Sequence, residues 1–61
     1  MNESETFQAL TANLGLSTQK ALSALLDATI VAGMCGYIVQ TAHAGDYLLT
    51  ATSHGYTLTR E

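Results

Sequence analysis

Apolar and polar positions follow two different periods along the chain, and the period changes around Gly33 and Gly36. Before that point, Phe7, Leu10 and Leu14 fall at i, i+3 and i+7, which predicts a short helix over residues 2–14. Asn2 and Glu5 have capping-box spacing, with asparagine where serine or threonine is usual, and acids in the first turn suit the positive end of the helix dipole. Asn13 and Gly15 both tolerate the left-handed backbone that stops a helix. Leu16 and Ser17 restart one, with the serine as N-cap and Leu16 placed to staple onto Ala21.

The second helix is predicted over 18–33. It carries large residues on one side (Leu22, Leu25, Leu26, Ile30), small ones on another (Ala21, Ala24, Ala28, Ala32), and a polar stripe of Lys20, Ser23 and Asp27. A helix apolar on two sides needs two surfaces to pack on. The alanine side permits close approach by another helix, so Ala21, Ala24, Ala28 and Ala32 are the expected interface of a homodimer; enclosure by the first helix and a sheet is the alternative.

After Gly36 the pattern alternates, in YIVQT (37–41), YLLTAT (47–52) and YTLTR (56–60), which predicts three strands. The order is ααβββ: an α+β domain with two N-terminal helices followed by a three-stranded antiparallel meander. A turn at Thr52 to Gly55 pairs Ala51 with Tyr56 and Leu49 with Leu58, turning Leu48, Thr50, Thr57 and Thr59 to the opposite face. The first hairpin has two readings. A four-residue loop sets Ile38 beside Leu49, a five-residue loop sets Val39 there, and the difference exchanges every side chain between faces.

Length and charge narrow the function. The 61 residues form one domain, 1–61, without repeats, low-complexity tracts or proline, and a domain so small has little margin over chain entropy, so a partner subunit would help it. Net charge is -3, with Lys20 and Arg60 as the two cations, which counts against direct nucleic-acid binding through phosphate contacts. Cys35 is the single cysteine, so no intrachain disulfide and no paired-cysteine zinc site can form. The acidic, polar start MNESETFQ does not resemble a secretion signal, and a reducing cytoplasm is the expected setting. Residues 21–39 are apolar enough to raise a membrane span, but Asp27, Gly33 and Gly36 inside the stretch and the strand pattern of its end argue against one.

His43, Asp46, His54 and Cys35 are the usual candidates for bases, nucleophiles or ligands. Gly45-Asp46 and Ser53-His54-Gly55 read instead as turn chemistry, and Cys35 has no cationic neighbour in sequence to activate it. No enzyme activity, metal or cofactor is therefore expected. Tyr37, Tyr47 and Tyr56 each open a strand, where tyrosine packs with its hydroxyl toward water and also serves recognition. The threonine-rich face of Leu48, Thr50, Thr57 and Thr59 is the expected binding surface for a protein partner.

The run LGLSTQKALSALLDATIVAG, followed by GYIVQ and HGYTLT, resembles winged helix-turn-helix domains, in which a capped recognition helix leads into a β-wing. That resemblance loosely covers residues 14–59 and implies a DNA-binding transcriptional regulator; the helix that would enter the major groove offers Lys20 and otherwise alanine, leucine and Asp27. In size and acidity the chain also resembles the small inhibitors that phages encode, anti-CRISPR proteins among them. This implies steric blocking of a host complex, with Glu3 and Glu5 of the first helix as the carboxylates able to stand in for phosphates. The leading expectation is a non-enzymatic, homodimeric, protein-binding inhibitor, and the alternative is the winged-helix regulator.

Overall fold

A computed structural model describes residues 1–31 and 36–61; the expected helix end at 33, Ala32 of the alanine side and Cys35 lie outside the described residues. The described residues form two helices and a three-stranded antiparallel sheet in the order β1-β2-β3, α+β in character, with one helix N-terminal and the other mid-chain.

Helix α1 (Glu3–Gln8) begins with the expected capping box. The Glu5 amide donates to Asn2 Oδ1 at 2.7 Å, and the Asn2 amide donates to Glu5 Oε1 at 3.0 Å. It runs on into a π-helical turn, Ala9–Asn13, in which the Leu14 amide reaches back five residues to the Ala9 carbonyl at 3.1 Å. The extra residue carries through to the exit, where the Leu16 amide donates to Leu10 O at 3.0 Å and Gly15 takes φ +75°. Asn13 is not left-handed; Gly15 alone makes the stop.

Helix α2 (Thr18–Ile30) starts as read, with Ser17 accepting from the Lys20 amide at 3.2 Å and Leu16 packed against the core that holds Ala21. Its alanine side follows the alternative of enclosure within the monomer, whereas of the large side Leu25 alone is buried. Ala21, Ala24, Leu25 and Ala28 are buried in one core with Leu10 of the N-terminal helix and Val39 and Leu49 of the sheet, while Leu22, Leu26 and Ile30 are 54%, 62% and 69% exposed. Ala21, Ala24 and Ala28 are therefore occupied inside the monomer and are not available as a homodimer interface. The physical reason is distance: methyl side chains let a helix lie close on a small sheet, where leucines would hold it off.

Strands β1 (Tyr37–Gln40), β2 (Asp46–Thr52) and β3 (Gly55–Arg60) form the meander. The second hairpin has the expected register, Leu49 opposite Leu58 and Ala51 opposite Tyr56. The first has neither: Tyr37 faces Leu49, Ile38 faces Leu48 and Val39 faces Tyr47. Its loop has five residues, as in one alternative, but opens at Thr41, whose hydroxyl donates to Gly45 O at 2.6 Å and accepts from the Ala44 amide at 3.0 Å. Thr41 thus belongs to the turn, and the pairing shifts by two residues, which preserves the faces: Val39 is 3% exposed and Ile38 is 44% exposed.

The core is Leu10, Ala21, Ala24, Leu25, Ala28, Val39 and Leu49, with Phe7, Leu14, Leu16, Tyr37, Tyr56 and Leu58 packed around it. Thr6 is also fully buried, its hydroxyl bonded to Asn2 O at 2.8 Å. Leu49→Ala should cost about 2–5 kcal/mol, more than a domain this size can lose at physiological temperature. Ala28→Trp should unfold the protein while Leu26→Trp leaves it folded; thermal melts followed by circular dichroism decide both comparisons, and equal tolerance at 28 and 26 would reverse the assignment of faces.

Candidate functional site

The titratable residues do not converge. His43 and His54 are exposed in the two loops at opposite ends of β2, and seven strand residues hold them about 20 Å apart. Asp46 is exposed beside the first loop. Among the described residues no cluster of three potential ligands forms, and no helix is long and apolar enough to cross a membrane.

The outer sheet face carries Thr57 and Thr59 exposed, with Leu48 and Thr50 half-buried. Gly36 lies close over the last two: a Cβ added there would stand 2.8 Å from Thr50 Oγ1 and 3.0 Å from Leu48 Cδ1. Leu48 is therefore less open than an outward strand position suggests. Glu3 and Glu5 are exposed on α1, and one carboxylate oxygen of Glu5 is engaged in the capping box. These six residues fall on two separate surfaces, a helix start and a sheet face.

Two other surfaces stand out. The first is the outer side of α2, where Leu22, Leu26 and Ile30 succeed one another at i, i+4 and i+8 over about 12 Å of helix. Shallow grooves run from it toward α1, lined by Glu3, Ser4 and Phe7 on one side and Leu22 and Leu25 on the other, and on to Thr29 and Tyr56. The Tyr56 hydroxyl shares a 3.1 Å hydrogen bond with Thr29 Oγ1, which ties β3 to the flank of α2.

The second is an open groove of about 620 Å³ between α2 and β1. Leu16, Ser17, Gln19, Lys20, Ser23 and Ala24 form one wall and Tyr37 to Gln40 the other. Sequence reasoning missed it because nothing in a strand's own residues says whether the strand lies at an edge.

No protein-family model, curated protein or solved structure matches the chain.

Among the described residues, the Tyr37 phenol is displaced from its ordinary acidity. Partial burial first, and then the negative charge of Asp27, hold its phenol above the ordinary value of 10.0. The fold thus favours the protonated phenol, so this contribution to stability is complete below the unfolded value and is lost as pH rises through the raised one. Phenolate absorbance titrations of the folded protein should place one tyrosine above the others. Asp27→Asn should lower that midpoint without removing the whole shift, because burial remains; an unchanged midpoint would show that Asp27 has no influence on it.

Proposed function

We propose that the protein is a non-enzymatic, cytoplasmic interaction module that acts by occupying the surface of a protein partner through the outer side of α2. The observation that carries this reading is the exposed row Leu22, Leu26 and Ile30, in a molecule whose buried core contains three leucines and a valine besides alanine among its described apolar residues. An apolar row of this kind is unfavourable in water and matches helix-face recognition, in which positions i, i+4 and i+8 supply the anchors.

The row is uncharged and reads alike in both directions about Leu26. Two copies related by a two-fold axis can pack Leu22 of one against Ile30 of the other, and a homodimer formed this way replaces the alanine-side dimer of the sequence reading. A small module that works by occupancy suits the inhibitor class inferred from size and acidity, in which a host complex is blocked sterically. The winged-helix-like order of elements belongs to the same proposal: α2 stands where a recognition helix would, with leucines rather than cations outward.

Light scattering on the purified protein should give a dimer, and Leu26→Asp should give a monomer with an unchanged circular dichroism spectrum, since a charge desolvated without a counter-ion is strongly unfavourable at an interface. The same substitution should abolish capture of a protein partner in a pull-down from the source cell. A wild-type monomer that captures nothing, or a Leu26→Asp protein that associates like the wild type, overturns the assignment of this face.

A further inference from the structure

The two edges of the sheet are treated differently. The Thr41 amide donates to Gly45 O and the Glu61 amide to Asp46 O, which fixes the alternation of both ladders. On β3 the outward groups therefore belong to Tyr56, Leu58 and Arg60. Both of those on Tyr56 are taken by Met1, with Tyr56 N to Met1 O at 2.6 Å and Met1 N to Tyr56 O at 2.9 Å. Arg60 adds a charge farther along, a common way to discourage strand addition. On β1, by contrast, Ile38 and Gln40 turn their N–H and C=O groups outward, and no backbone partner meets them among the described residues.

Beside that open edge lies the α2–β1 groove. Its lining includes half-buried Leu16, with Ala24 and Val39 of the core behind it, as an apolar patch for a side chain. That lining contains no carboxylate and holds Lys20, one of the two cations, on the first turn of α2, while Asp27 acts on Tyr37 at one end of the β1 wall, away from Lys20 by about two turns of helix. An edge strand facing a helix across a cleft is the arrangement in which extended peptides bind by adding a strand, with backbone hydrogen bonds giving affinity and alternate side chains giving specificity.

We propose that the α2–β1 groove binds an extended peptide segment of a partner protein, added as a fourth strand along β1. Its backbone pairs with Ile38 and Gln40, an alternate apolar side chain enters over Leu16, Ala24 and Val39, and an acidic side chain lies at Lys20. This surface is distinct from the outer side of α2, and the proposal does not depend on dimerisation.

The test selects a displayed library of random heptapeptides on the wild-type protein and, in parallel, on Leu26→Asp. Enriched peptides are then synthesised and titrated into labelled protein, with amide hydrogen exchange as the readout. The expected result is enrichment of alternating apolar peptides with an acidic residue, equally on both baits. Bound peptide should newly protect the Ile38 and Gln40 amides, whereas those of Tyr37 and Val39 are already paired to β2. Lys20→Glu, on an exposed helix position, should weaken binding about tenfold and leave the fold intact.

Three results overturn the proposal: no enrichment on either bait; peptides that bind but leave Ile38 and Gln40 exchanging freely; or concentration-dependent protection of those two amides without peptide, which would mean that a second copy fills the edge. Peptides that perturb Leu22 and Leu26 instead, and fail on Leu26→Asp, would overturn the groove while supporting the α2 face. Loss of dimerisation alone leaves the groove result standing.

Discussion

The contact between the alanine side of α2 and Leu49 at the middle of β2 is the constraint on which the rest of the molecule depends. A sheet of three short strands offers one small apolar face, and a helix covers it only if it lies close. Ala21, Ala24 and Ala28 make that approach possible, and Leu49 and Val39 fill the space beneath them. Once α2 is seated in this rotation, its bulkier leucines have no place inside. Leu25 turns in at the border and Leu22, Leu26 and Ile30 turn out. The exposed row is therefore a geometric consequence of how the core is made, and α1 with its π-helical turn closes the remaining side through Thr6, Phe7 and Leu10.

Features set by local chemistry were legible in the sequence. Asn2 with Glu5, Ser17 with Lys20, and Gly15 act within one turn of chain, and their roles follow from side-chain reach and backbone freedom alone. The register of β2 on β3 was equally legible, because a two-residue turn leaves little choice. The register of β1 was not. Threonine is both a strand former and a turn hydroxyl, and Thr41 takes the second role through Gly45 O and the Ala44 amide. The rotation of α2 was misread for a different reason: hydrophobicity favours leucine inside, whereas close packing here favours alanine. Thr6 is a third instance, since a hydroxyl that bonds to its own helix can be buried like an apolar group.

The candidate surfaces follow the same division. Leu22, Leu26 and Ile30 could be grouped from the sequence, but which group faces water depends on the tertiary contact. The groove beside β1 needs strand order, ladder alternation and the position of α2 together, none of which is a property of residues 37–40 in isolation. Of the residues expected to bind a partner, Thr57 and Thr59 are exposed as read, while Leu48 and Thr50 lie partly beneath Gly36.

The bond pair between Met1 and Tyr56 has a consequence for how this sheet can grow. Gly55 is part of that closure, because a side chain there would collide with the Met1 carbonyl. Propagating assembly needs two available edges per molecule, one to accept a neighbour and one to offer to the next. With β3 blocked at Tyr56 and β1 open, the two edges are unequal, which disfavours repeated edge-to-edge addition of the kind that builds a fibril. Displacing Met1 from Tyr56 would expose the backbone groups of Tyr56 and make the two edges alike at that point.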